Sequence, residues 1–215
     1  MPLTLYFHPL SSYCHKVLIA LYEAGVPFAP RLVDLGNAQD AAAFKAIWPL
    51  GKFPVLDDGG RIVPESTTII EYLAARHPTA ALIPRDEAAA FEARAADRFY
   101  DINVHNVMQA IIGDRLRPAD KKDPHGVEEA RKQLRTACDM IEQDIAGMGP
   151  KTWAMGDVFT MADCAAAPAL FYANILMPLR HSHKSVAAYL GRLMERPSFA
   201  RAVKEAQPYL ALMPK

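Results

Sequence analysis

Cysteine is scarce in this chain: Cys14, Cys138 and Cys164 are odd in number and far apart. Neither a disulfide scaffold nor a structural zinc site can be built on that spacing. The usage suits a reducing compartment, so a cytoplasmic location is expected. Net charge is absent as well, because 24 basic and 24 acidic side chains cancel. No electrostatic footprint for nucleic acid or an anionic membrane surface remains, and neither partner is expected. The longest apolar stretch, "CAAAPALFYANILMPL", carries Asn174 and two prolines and falls short of a membrane span, so it reads as a buried helix. The opening "MPLTLYFHP" is already strand-like, and no basic-then-apolar leader is expected. Internal repeats and low-complexity tracts are missing too.

What the chain does have is 215 residues, 51% of them apolar, enough for a sizeable core. "LTLYF" reads as a strand and "SSYCHKVLIALYEAG" as a helix stopped by Gly25. "FAPRLVDL" is a second strand, where Pro30 points to an edge or a bulge. A short helix "DAAAFKAIW" follows, and then a hairpin "FPVLDDGGRIV" around Asp57–Gly60. An amphipathic helix from Glu65 to His77 ends at Pro78. After residue 87 only Ala-rich helical periods remain, roughly 87–116, 127–145, 161–176, 185–195 and a short one after Pro197. The shift marks a small α/β domain over residues 1–78, a linker over 79–87 and an all-α domain over 88–215.

One tetrad stands out. Ser11-Ser12-Tyr13-Cys14 occupies the strand-to-helix corner where a thioredoxin-type redox protein keeps Cys-x-x-Cys, yet the first cysteine is a serine. Without a partner at position 11, Cys14 has no dithiol to close and is expected to pack as a small buried hydrophobe.

With "HPLSSYCHKVLIAL", "GKFPVL", "PESTTIIEYL" and "GDVFTMADCAAAPAL" in this order, the chain resembles the soluble glutathione S-transferases along essentially its whole length. The resemblance is to a serine-type bacterial member. It implies a thioredoxin-like βαβαββα domain with a mixed four-stranded sheet, then an all-α domain supplying most of the second-substrate pocket. It also implies glutathione as co-substrate, a hydrophobic electrophile as partner, a cytoplasmic detoxifying role and a homodimer. In that dimer Glu92, Arg94, Asp97 and Arg98 are spaced for cross-subunit pairs.

The resemblance assigns roles residue by residue. Ser11 is the hydroxyl that holds the glutathione sulfur as thiolate, Ser12 the neighbouring candidate and Tyr6 the third. Ser11 or Ser12 is equally a good helix cap. Phe53 clasps the cysteinyl backbone, Pro54 shapes that clasp with a cis bond, and Lys52 meets the glycyl carboxylate. Ser66 meets the γ-glutamyl carboxylate and Glu65 its ammonium, while on the structural side Ser66 is the N-cap and Glu65 a first-turn acid. Thr160-x-x-Asp163 is a capping box.

On the helix "RFYDINVHNVMQAIIGDRL", spacing turns Phe99, Ile102, Val107 and Ile111 inward. His105, Asn106 and Met108 are candidates for the second-substrate pocket, as are Tyr13 and Tyr172. His181-x-His183 lacks further ligands, so no metal is expected. The same first site also serves a glutathione-dependent isomerase, a thiol–disulfide oxidoreductase or a non-catalytic binding protein. An exchanger needs cysteine at position 11 or 12, and the zeta isomerase motif reads Ser-Ser-Cys where Tyr13 stands here.

Overall fold

The computed structural model describes residues 3–77, 81–147 and 152–213. Pro78, which was expected to end the third helix, and residues 79–80 of the expected linker lie outside them. The first unit contains β1 (Leu3–Phe7), α1 (Ser12–Ala24), β2 (Phe28–Leu32), α2 (Ala38–Ile47), β3 (Val55–Asp58), β4 (Arg61–Pro64) and α3 (Ser66–Arg76). Its sheet runs β2-β1-β3-β4, with β1 and β2 parallel and the other pairs antiparallel. Pro30 is tolerated because β2 is an outer strand. Gly59 and Gly60 form the two-residue hairpin turn, at φ of 60° and 98°, a conformation that costs glycine little. This is the thioredoxin-like arrangement.

Helices make up the second unit. They are α4 (Glu87–Phe99), α5 (Asn106–Leu116), α6 (Pro124–Gly147), α7 (Met161–Leu176), α8 (Lys184–Glu195) and α9 (Pro197–Ala206). The apolar run noted in the sequence is α7, and it is the centre of the core, buried over most of its length. Thr160 and Asp163 form the capping box, and Asp163 Oδ1 also accepts the Ala154 N–H and the Tyr189 hydroxyl. A charged carboxylate is tolerated there because its acceptor sites are filled.

The two units share one apolar core. Helix α1 packs against α7 and α9 on one side and α3 on the other. At its C-terminal end, Glu23 accepts two hydrogen bonds from Arg196, at 2.8 and 2.7 Å, and one from Ser198. Burial raises the Glu23 pKa, but these bonds outweigh burial and hold it below the ordinary value.

One feature of the second unit breaks its sequence periodicity. Between α4 and α5 the chain winds one π-helical turn, Tyr100–His105. The wider turn shifts the phase of the face that follows. Tyr100, Asp101, Val104, His105, Met108 and Ile111 are therefore buried, whereas Ile102 is exposed, contrary to the inward position its spacing suggested.

Candidate active site

Ser11 is the N-cap of α1, and its Oγ accepts the Cys14 backbone N–H at 3.3 Å. Its own N–H donates to the His8 carbonyl at 3.0 Å. These bonds fix the serine from both sides while leaving its hydroxyl proton free to donate. Ser12 is the first helical residue and is buried. Cys14 is wholly buried, and burial pushes its thiol up to about 12, with Ser11 and the His8 backbone pulling the other way. Such a thiol is inert at neutral pH. Tyr6 lies in neither cleft; it packs on Phe44, ring centroids 5.9 Å apart.

Two clefts meet beside this corner. The polar one, about 380 Å³, is lined by Lys52, Phe53, Pro54 and the start of α3, and across it by Tyr13, Arg98, Asp101 and Asn106. The Phe53–Pro54 bond is cis. Contrary to the expected Ser66 cap, the N-cap of α3 is Glu65, and Ser66 is the first helical residue. Glu65 sits at φ 69°, a region non-glycine residues rarely adopt. Its side chain makes no capping bond. Helix α3 thus begins in the cleft without a side-chain cap, its first N–H groups and its positive dipole end available to an anion.

The apolar cleft, about 290 Å³, lies on the other side of Phe53, which lines both. Ser11 and Ser12 are on its wall, together with His8, Met108, Gln109, Tyr172 and aliphatic side chains of α5, α7 and the C-terminal turn. Met108 and Tyr172, two of the residues expected in a second-substrate pocket, line this cleft. Tyr13 and Asn106 instead face the polar cleft, tied to each other at 2.7 Å. His105 faces neither: the π turn rotates it into the core, where its Nε2 meets the Ala165 carbonyl at 3.1 Å and its ring packs on Tyr13. Burial pushes its pKa down to about 4, against the pull of Asp101.

Several site residues escaped the sequence reading. Thr67, Thr68, Arg98 and Asp101 line the polar cleft. Behind it Lys16, withdrawn from water, lies 2.7 Å from Asp97 and 2.8 Å from Asp101 and donates to Thr67 at 2.8 Å. Thr67 in turn donates to Asp97 at 2.7 Å. Asp97 is buried and spent within the chain, which removes it from the cross-subunit pairs suggested by spacing, while exposed Arg94 has an intrachain partner in Glu71. The available signal was the four-residue step from Asp97 to Asp101, which puts two carboxylates on one helix face, together with a lysine inside an apolar helix.

His183, from the His-x-His pair, is bound to Asp139 at 2.9 Å. Among the described residues no cluster of three or more His, Cys, Asp or Glu has metal-site geometry. No described helix is long and apolar enough to cross a membrane.

Known proteins match this chain along nearly its full length. The family model described as "Glutathione S-transferase, N-terminal domain" matches residues 5–81, and its "C-terminal domain" counterpart matches residues 124–192. A stringent starvation protein A homolog of Coxiella burnetii is 30% identical over 97% of this chain and 94% of its own. A maleylpyruvate isomerase of Ralstonia is 29% identical over 92% and 95%. A solved glutathione S-transferase of Methylobacillus flagellatus with glutathione bound superposes with a TM-score of 0.84 at 26% identity, over 93% of this chain and 98% of that one. With family models matching both halves of the chain and a solved glutathione S-transferase sharing its fold, the chain belongs to the glutathione S-transferase family.

Proposed function

We propose that this protein binds glutathione in the polar cleft, holds its sulfur as thiolate at Ser11 and adds it to an electrophile in the apolar cleft. The observation that carries the reading is the placement of Ser11: it caps the N-terminus of α1 with its hydroxyl proton free, and it lines an apolar cleft that shares Phe53 with the polar cleft holding Lys52 and the uncapped start of α3. The uncapped start of α3 and Ser66 receive the γ-glutamyl carboxylate, Glu65 its ammonium, Phe53 the cysteinyl backbone and Lys52 the glycyl carboxylate. A structural relative with bound glutathione supports this occupancy.

The energetics are adequate. Lowering a thiol pKa from about 8.5 by two units takes about 2.7 kcal/mol of differential stabilisation. A hydroxyl donating to a charged sulfur supplies about 1.5–3 kcal/mol. The start of α1 adds about 0.3–1 kcal/mol.

The relatives' names diverge, one a stringent starvation protein A homolog and another a maleylpyruvate isomerase, so a glutathione-dependent isomerase is the second reading of this site. Among the described residues lining the apolar cleft there is no lysine or arginine to meet a carboxylate, which favours conjugation of an uncharged electrophile. A cytoplasmic homodimer belongs to the same reading.

Steady-state conjugation of glutathione to an aromatic halide tests it. Ser11→Ala should lose about tenfold to a hundredfold in rate at neutral pH, while Cys14→Ala stays near wild type. The reverse order would sink the serine assignment.

A further inference from the structure

Resting on the proposed glutathione conjugation, we propose that His8 binds the electrophile: its Nε2–H donates to the carbonyl oxygen of an uncharged α,β-unsaturated aldehyde or ketone in the apolar cleft. His8 then sets a preference for such acceptors over electrophiles that have no oxygen to receive the bond.

The tautomer follows from one hydrogen bond. His8 Nδ1 accepts the Leu10 backbone N–H at 3.2 Å, so the proton of the neutral ring is on Nε2. The imidazole is clamped, stacked on Phe53 at 5.9 Å and 20° and met edge-on by Tyr209 at 6.1 Å. It lines the cleft that holds Ser11, and its own carbonyl accepts the Ser11 N–H. Half-burial lowers its pKa, with Asp34 opposing, which favours the neutral donor at physiological pH. The Tyr172 hydroxyl is occluded and has no partner within reach, Ser12 is buried, and beside Ser11 and the amide of Gln109 the rest of the lining is apolar, which leaves His8 the donor held by ring packing. A fixed donor in an apolar wall is worth most to an oxygen that gains charge during reaction.

The step balances without another reagent. The glutathione sulfur forms an S–C bond to the β-carbon, and the C=C electron pair moves to give an enolate. The oxygen of that enolate takes the His8 hydrogen bond, and a proton from water is then added at the α-carbon. A benzyl halide, which has no oxygen, sends its charge out with the departing halide and gains nothing from His8.

The test is the ratio of kcat/KM for an enone to that for a benzyl halide, measured with the ultraviolet absorbance of bound thiolate. His8→Phe keeps the ring packing and removes the donor, and the ratio should fall about threefold to tenfold. His8→Gln restores a donor and should recover part of it. Should His8→Phe fail to fold, His8→Met against His8→Gln makes the same comparison. An unchanged ratio, or an equal fall in the glutamine variant, with the thiolate band intact overturns the role of His8 alone. Absence of the band in the wild type overturns the conjugation reading and this one with it.

Discussion

Lys16 Nζ and Asp97 Oδ1 lie 2.7 Å apart with both side chains wholly withdrawn from water, one on α1 of the first unit and one on α4 of the second. Asp101 and Thr67 complete the cluster, and Arg98 approaches Asp101 from the solvent side at 3.4 Å. Burial raises the Asp97 pKa, and the attraction of Lys16 opposes it. Removing the lysine leaves buried Asp97 with no cationic partner and Asp101 with only the more distant Arg98. Lys16→Met should therefore destabilise the fold by about 3–5 kcal/mol in equilibrium urea unfolding. A loss under about 1 kcal/mol would show that water already reaches the pair.

Acid should weaken the protein through its buried histidines. His15 and His105 are both fully buried, and burial pushes each down to about 4 from an ordinary value of 6.5. A depressed folded pKa means that the stability is whole above about pH 6.5 and is lost as pH falls toward about 4. The loss is on the order of 2 kcal/mol per histidine near pH 5. Urea midpoints measured near neutrality and near pH 5 should show it, and His105→Gln should remove about half of the difference, the share of His15 remaining. An equally steep dependence in that variant would assign the effect elsewhere.

The glutathione end remote from sulfur should govern affinity more than turnover. Glu65→Gln and Ser66→Ala should each weaken glutathione binding about tenfold by calorimetry, with kcat at saturating thiol nearly kept. Wild-type affinity in both would remove them from the site.

Much of this architecture was legible in the sequence. The element order followed from strand and helix periods and from turn residues such as Gly25 and Gly59–Gly60, which act locally. Cys14 went inward, and the Phe53–Pro54 bond is cis, as the resemblance implied. What escaped depends on tertiary contact. The π turn changes the helical phase after Tyr100, so Ile102 turned out and His105 turned in, and no local pattern marks such a turn. The Lys16 cluster joins residues more than 80 positions apart. Ser66 looked like a cap because its residue type favours one, yet the backbone of Glu65 takes that position.

A dimer is the expected assembly, with apolar burial as its main force now that Asp97 is buried and spent within the chain. Phe91 on α4 is 67% exposed, a large apolar side chain suited to such a contact. Light scattering should give twice the 23.7 kDa chain mass at micromolar concentration, little affected by moderate salt. Phe91→Asp should shift the mass toward the monomer. A monomeric wild type, or dissociation by salt alone, would contradict this.

The central claim is that Ser11 holds a thiolate, and titrating the ultraviolet absorbance of enzyme-bound glutathione against pH tests it most directly. In the wild type the bound thiol should ionise about two units below its free value of about 8.5. Ser11→Ala should raise that midpoint by about one to two units, whereas Cys14→Ala should leave it unmoved. A midpoint in Ser11→Ala equal to that of the wild type would contradict the account.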